Sequence, residues 1–232
     1  MQHTIIEHMQ RQYFDFNITP RDWAFVQALP QKIVYNIKKD AVPIAGSKET
    51  AYRRLAVFRN IGIIDYRNGH FSINQSIIKQ PYHFIEKLLP SLSALKNARR
   101  FGRYYNEADI RFVKKNLPEH SFVTLDFKAW ELTKFQQPTD LYAYTDVDEF
   151  ARFLKESGFS EGTRGHIVLL QTPDRIENEI ERVYFDSIAK GGRGVLDAIA
   201  LELLYPDQIR YKGQFPVESV AKVQEDMPRG PT

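Results

Sequence analysis

The segment from Gly46 to Ile73 most restricts the folds open to this chain, because a capped helix pattern runs directly into a hairpin signal. The Ser47 hydroxyl can accept a backbone N–H at a helix N-terminus, where four donors lack intrahelical partners. Ala51, Leu55 and Phe58 recur at helical spacing and predict a buried stripe. The opposite, basic face of this helix is therefore predicted to face solvent.

Two short apolar runs follow this helix and are joined by a tight turn. Gly62 is predicted to end the helix, and the runs cover Ile63 to Tyr66 and Phe71 to Ile73. Asn68-Gly69 between them is the strongest short hairpin signal, because both central residues must accept positive φ. The sequence therefore predicts a helix followed by a small wing.

Two further helices are predicted before this segment. Thr19 and Pro20 are typical of a helix start, with Pro at the first helical position. A second, short helix is predicted over Gln31 to Lys39, with Ile33, Val34 and Ile37 as its apolar positions. Three helices and a wing in this order predict a winged helix-turn-helix and, as the first hypothesis, DNA binding.

The basic helix face and the wing supply the predicted DNA contacts. Groove contacts are assigned to Lys48, Tyr52, Arg53 and Arg59, and phosphate or adjoining contacts to Arg54, Arg67 and His70. The full set of predicted DNA-binding residues is Ser47, Lys48, Tyr52, Arg53, Arg54, Arg59, Arg67, Asn68 and His70. Two alternatives remain open, namely an amphipathic helix with solvated charges and a winged helix that binds protein.

Charge divides the chain into two different halves. Residues 1–105 hold 16 Lys+Arg and 7 Asp+Glu, giving +9, whereas residues 106–232 hold 16 and 22, giving −6, which sum to the net charge of +3. A basic surface attracts a polyanion by counterion release and an acidic one repels it. Double-stranded DNA is therefore expected to meet only the N-terminal half.

Composition also excludes several classes of protein. The chain has no cysteine, which rules out disulfides, thiolate nucleophiles and cysteine-ligated metals. Its histidines lack metal-ligand spacing, so no metal or other cofactor is expected. No signal peptide or spanning segment is recognisable, and a cytoplasmic protein without a membrane partner is the expectation.

The fold class expected for the whole chain is α+β. Residues 1–75 are predicted to form the winged helix-turn-helix with an N-terminal arm, residues 76–105 a helical linker broken at Pro81 and Pro90, and residues 106–232 a mixed α/β domain with a small sheet. The predicted strands of that domain are Ser121 to Phe127, Asp140 to Thr145 and Gly165 to Leu170, and the predicted helices are Asp146 to Ser157, Ile176 to Lys190 and Gly194 to Tyr205.

Two motifs in the second half carry residues capable of chemistry. Asp146 and Asp148 follow a predicted strand, where a nucleotidyltransferase could hold Mg²⁺, but a helix cap at Thr145 or Asp146 explains the same residues more simply. The glycine-rich segment 191–194 is predicted to be a helix C-cap and a tight turn, with an accessible Arg193 able to pair with a carboxylate or phosphate. A Mg²⁺-dependent nucleotidyltransferase remains the alternative function, and no catalytic residue is assigned.

Three segments carry a resemblance to a known family: Leu141 to Phe150, Gly165 to Leu170, and Val183 to Gly194 with its terminal Gly-Gly-Arg-Gly. Through them the chain resembles the AbiEi antitoxin and transcriptional-regulator family of type IV toxin–antitoxin systems. The resemblance implies operator binding by the winged helix, repression of its own operon, and a cognate nucleotidyltransferase-like toxin as partner. A stand-alone regulator is the alternative, and a homodimer is expected if the operator is palindromic.

Overall fold

The computed structural model describes residues 18–172 and 176–227. The predicted N-terminal arm, with Tyr13, Phe14 and Phe16, lies outside the described residues. The fold is mixed α+β with two small sheets, as the sequence predicts. The chain forms two compact units that divide after Ser93, so the residues of the predicted linker 76–105 belong partly to each unit.

The first unit combines helices with a three-stranded antiparallel sheet of order β1-β3-β2. Its elements are α1 (Pro20–Gln27), β1 (Tyr35–Asn36), a π-helical turn (Ile37–Ala41) continuing as α2 (Val42–Ala45), α3 (Lys48–Asn60), β2 (Ile64–Arg67), β3 (His70–Ile73), α4 (Gln75–Ile78) and α5 (Tyr82–Lys96). The division between the units falls inside α5.

Helix α1 begins where the sequence predicts and packs against α3. Thr19 and Asp22 form a reciprocal capping box at its start. The Trp23 ring is buried with its centroid 6.1 Å from that of Phe58 on α3, and its Nε1–H donates to the Gln80 carbonyl at 3.0 Å. The two buried aromatic rings therefore pack α1 against α3.

The predicted helix over Gln31 to Lys39 is wrong. Residues 31–34 are not helical, Tyr35 lies in β1, and helical structure begins only at Ile37. Tyr35 pairs with Phe71 across the sheet, and their stacked rings lie 5.0 Å apart, so a long-range strand contact overrides the local helical pattern. Ile33 and Val34, two apolar positions of the predicted helix, are 87% and 57% exposed.

Proline has different effects at the two predicted breaks. The break at Pro81 separates α4 from α5, but α5 continues through Pro90, where a second break was predicted. Phe84, Leu88 and Leu92 are all buried along α5, and this packing outweighs the hydrogen bond that Pro90 removes.

The second unit has a four-stranded sheet of order β4-β7-β6-β5, in which only β6 and β7 are parallel. Its elements are β4 (Arg99–Phe101), α6 (Glu107–Asn116), β5 (Phe122–Thr124), α7 (Leu125–Thr133), β6 (Leu141–Thr145), α8 (Val147–Glu156), β7 (Ile167–Gln171), α9 (Glu179–Lys190), α10 (Arg193–Leu204) and α11 (Val217–Asp226). Strands β6 and β7 are buried on both faces, as expected for their apolar sequences.

The predicted strand from Ser121 to Phe127 is too long. The strand ends at Thr124, and the chain turns directly into α7 at Leu125, whose φ is 53°. A positive φ is unfavourable for leucine, but the side chain is buried in the core.

Among the described residues, no helix is both long enough and apolar enough to cross a membrane.

Candidate nucleic-acid interface

Helix α3 presents the basic face that the sequence predicts. Ser47 Oγ accepts a hydrogen bond from the Thr50 N–H at 3.1 Å, which confirms the predicted cap. Ala51, Leu55 and Phe58 are buried, which confirms the stripe. The opposite side is solvent-exposed and carries Lys48, Tyr52, Arg53 and Arg59.

Two tyrosines organise the cations on this face. Lys48 Nζ lies 5.8 Å from the centre of the Tyr52 ring, and Arg59 Cζ lies 5.9 Å from the centre of the Tyr66 ring on β2. Partial burial and the hydrogen-bonded Tyr66 hydroxyl raise the pKa of Tyr52. Tyr66, which the sequence did not single out, therefore links the outer face of α3 to the hairpin.

Arg53 and Arg54 are adjacent in sequence but have different surroundings. Arg53 is exposed and forms no ion pair with the part of the chain that the structure describes. Arg54 is turned toward α1, with its Nε 3.7 Å from Asp22 Oδ1 and its guanidinium 5.3 Å from the Phe25 ring. Arg53 is thus free to contact a ligand, whereas Arg54 connects α3 to α1.

The hairpin turn has the geometry that its sequence predicts. Asn68 and Gly69 have φ of 50° and 79°, so both central residues are left-handed. Arg67 beside them has an 85% exposed side chain, and its 3.3 Å pair with Asp65 is also exposed. Such a surface pair contributes little to stability, and the guanidinium remains available to a phosphate.

His70 is held at the end of the turn by hydrogen bonds on both ring nitrogens. Its Nδ1 lies 3.2 Å from the Asn68 carbonyl, and its Nε2 lies 3.3 Å from the Asn36 amide nitrogen. These distances assign the Nδ1–H tautomer, in which Nδ1 donates to the carbonyl and Nε2 accepts from the amide. His70 is therefore oriented before any ligand arrives.

Asn36, Lys38 and Lys39 lie in the segment that pairs with the hairpin turn, and the sequence prediction missed them. Asn36 Oδ1 accepts a hydrogen bond from the Lys39 N–H at 3.1 Å and so caps the helical turn that begins at Ile37. An asparagine before a helix is a recognisable cap signal. The incorrect helix prediction over residues 31–39 concealed it.

The two acidic residues considered for metal binding have structural explanations. Asp146 caps α8 by accepting a hydrogen bond from the Glu149 N–H at 3.0 Å, as the simpler interpretation predicted. Asp148 is 93% exposed and pairs with Arg99 at 3.1 Å. Within residues 18–172 and 176–227, no group of three or more His, Asp or Glu residues is arranged to hold a metal ion.

The Gly-Gly-Arg-Gly segment has the structural role predicted for it. Gly191 caps the end of α9, and α10 begins at Arg193. The Arg193 guanidinium donates to Gln136 Oε1 at 3.0 Å and to the Gln137 carbonyl at 3.2 Å. Arg193 therefore holds the loop at residues 136–137 in place. Its partners there are a side-chain amide oxygen and a backbone carbonyl, not a carboxylate.

Asp197 lies beside this turn and is 6% exposed. Gln136 Nε2 donates to Asp197 Oδ1 at 2.9 Å. Burial raises the pKa of Asp197 to about 6, and the nearby Asp126 carboxylate, paired with Lys190, contributes to the increase. The ionised form of Asp197 is thus less favourable in the folded protein than in the unfolded chain.

His166, directly before β7, is a buried histidine whose ring nitrogens both lack a hydrogen-bond partner within the described residues. It is 3% exposed. Asp109 Oδ2 is 3.8 Å from Nε2. Burial lowers the pKa of His166, so the neutral imidazole is favoured.

Comparisons with known proteins leave the chain without an assigned family. No family model, curated protein or solved structure matches it significantly. Function must therefore be inferred from the chemistry of the described residues.

We expect Asp197→Asn to stabilise the protein at pH 7 by about 2–3 kcal/mol, because the raised pKa makes ionised Asp197 costly and asparagine still accepts from Gln136. Because folding raises the pKa of Asp197, the wild-type protein loses stability as pH rises from about 4 through about 6. The gain in stability from Asp197→Asn should therefore shrink toward pH 4.5. Urea denaturation at both pH values measures it. Asp207→Asn, at an exposed position, is the control and should leave stability nearly unchanged, and an equal gain for Asp197→Asn at both pH values would contradict the assignment.

Proposed function

We propose that this protein is a sequence-specific DNA-binding transcriptional regulator whose first unit is a winged helix-turn-helix. The observation that carries the proposal is the outer face of α3, where Lys48, Tyr52, Arg53 and Arg59 are exposed on the side opposite the buried stripe. Arginine and lysine on an exposed helix suit the base edges and phosphates of a major groove.

The order of elements in the first unit supports this assignment. Helix α1, strand β1, helix α2, helix α3 and the β2–β3 hairpin follow one another, and β1 completes the sheet beside β3. Helix α3 has 13 residues, giving a length of about 20 Å. The helix is therefore long enough to span several base pairs in a groove about 12 Å wide.

The proposed contacts have distinct roles. Arg53 forms no ion pair with residues 18–172 or 176–227 and is assigned to a base edge, with guanine as the expected partner of a bidentate arginine. Lys48 and Arg59 are exposed on the side of α3 that carries Tyr52 and meets Tyr66 of β2, and Arg67 at the hairpin turn is assigned to a phosphate. A homodimer on a two-fold symmetric operator would place two such faces on one duplex.

The binding test uses the full chain and duplexes selected from a random DNA library. Arg53→Ala combined with Arg59→Ala should weaken binding to the selected duplex by at least about 30-fold, because two contacts at about 1–3 kcal/mol each sum to at least about 2 kcal/mol. Fluorescence anisotropy measures affinity. Arg152→Ala with Arg164→Ala removes the same charge from exposed positions of the second unit and should leave affinity nearly unchanged. Equal affinity of both double variants would reject the proposed interface.

We further propose that the regulator serves as an antitoxin in the cytoplasm, repressing its own operon and countering a nucleotidyltransferase-like toxin encoded alongside. Support comes from the sequence resemblance of the second unit, including Val183 to Gly194. Induction of an adjacent toxin gene should stop growth, and co-expression of this chain should restore it. Growth arrest that persists despite co-expression would reject the antitoxin role and leave the proposed DNA-binding regulator standing.

A further inference from the structure

Asn36 connects the hairpin turn to the helical turn that carries Lys38 and Lys39. Its backbone pairs with His70 between β1 and β3, and its Nδ2 lies 3.3 Å from His70 Nε2. Its Oδ1 accepts from the Lys39 N–H at 3.1 Å. One side chain therefore links the start of the helical segment to the end of the hairpin turn.

A backbone contact brings the same two segments together. The Ile37 N–H donates to the Gly69 carbonyl at 3.3 Å, directly before the two lysines. The helical turn and the hairpin turn are thus joined by a main-chain bond as well as by Asn36. Residues on the two turns are held at a fixed spacing.

Lys38 and Lys39 are the cations that this arrangement leaves available. Both are exposed, and neither forms an ion pair within the described residues. The adjacent carboxylate, Asp40, is buried and engaged elsewhere: Lys32 pairs with it at 2.5 Å, and the Asn36 N–H donates to it at 2.8 Å. Lys32 and this N–H are the main groups that lower the pKa of Asp40, and the charge of Lys39 makes a smaller contribution.

We infer that Lys38, Lys39 and the hairpin turn form one phosphate-binding surface, held together by Asn36, that takes the sugar–phosphate backbone of duplex DNA. The inference rests on the proposed DNA-binding function and extends it from the outer face of α3 to a separate, sequence-independent contact. Phosphate contacts by lysine set the register of a protein on the duplex without reading its sequence. Asn36 is a positioning residue in this surface.

The lysines are tested by the salt dependence of binding. For the full chain, the slope of log K against log salt concentration should fall in magnitude by about 2 in Lys38→Ala with Lys39→Ala, since each phosphate contact contributes about 0.9. The loss should be equal on the selected duplex and on a scrambled duplex. Lys212→Ala with Lys222→Ala, at exposed positions of the second unit, is the charge-matched control and should keep the wild-type slope.

The position of Asn36 is tested with Asn36→Ser, which keeps a helix-capping oxygen but removes the amide that reaches His70. We expect about a 2- to 10-fold loss of affinity on both duplexes because His70 is no longer held in place, and a melting temperature lowered by no more than about 5 °C, since one exposed intramolecular hydrogen bond is lost. If the residues act together, His70→Ala should cause little further loss in the Asn36→Ser background.

Two results distinguish a failure of this phosphate-binding surface from a failure of the proposed DNA-binding function. If wild-type protein binds no duplex, the proposed DNA-binding function fails and this surface fails with it. If wild-type protein binds but the Lys38 and Lys39 double variant keeps the wild-type slope, only the phosphate-binding surface is rejected. Additive losses for Asn36→Ser and His70→Ala would reject the positioning role of Asn36.

Discussion

The packing of Trp23 against Phe58 determines which side of α3 faces solvent. Both rings are buried, and the hydrogen bond from Trp23 to the Gln80 carbonyl fixes the indole within the core. With Phe58 inward, Ala51 and Leu55 are also inward, and the basic side of the helix faces outward. The whole candidate interface depends on this orientation, because a rotation of α3 would bury its cations at a large desolvation cost.

The sequence predicted those parts of the first unit that local chemistry determines. Ser47 caps α3 because its hydroxyl satisfies a nearby N–H, and Asn68-Gly69 turns because both residues accept positive φ. Predictions from local patterns were wrong where contacts between residues far apart in sequence determine the secondary structure. Tyr35 enters a strand because it pairs with Phe71, and this pairing was not visible in the sequence. The incorrect helix there also concealed the cap at Asn36.

In the candidate interface too, features determined by local sequence were predictable, and contacts between separate elements were not. Exposure of Lys48, Arg53 and Arg59 followed from the period of the apolar stripe. The periodicity could not show that Arg54 turns toward Asp22 on α1, or that Tyr66 supports Arg59, because both contacts join separate elements. Lys38 and Lys39 became candidates only once the strand and the helical turn had been correctly bounded.

In the second unit, the sequence features that suggested chemistry correspond to structural roles. Asp146 caps a helix, Gly191 ends one, and Arg193 holds the 136–137 loop. Asp186 is fully buried and accepts hydrogen bonds from Thr124 at 2.6 Å and Tyr144 at 2.8 Å, linking α9 to the sheet. The Gly-Gly-Arg-Gly pattern therefore has a physical explanation within this fold, independent of any partner.

Hydrogen–deuterium exchange of the full chain, with and without a selected duplex, tests the central claim most directly, because it locates the contact surface without any substitution. The account predicts slower exchange on DNA binding in residues 36–39, 47–60 and 66–70, and unchanged exchange in β6 and β7 of the second unit. Protection confined to residues 94–227, or binding that leaves α3 and the hairpin turn unprotected, would contradict it.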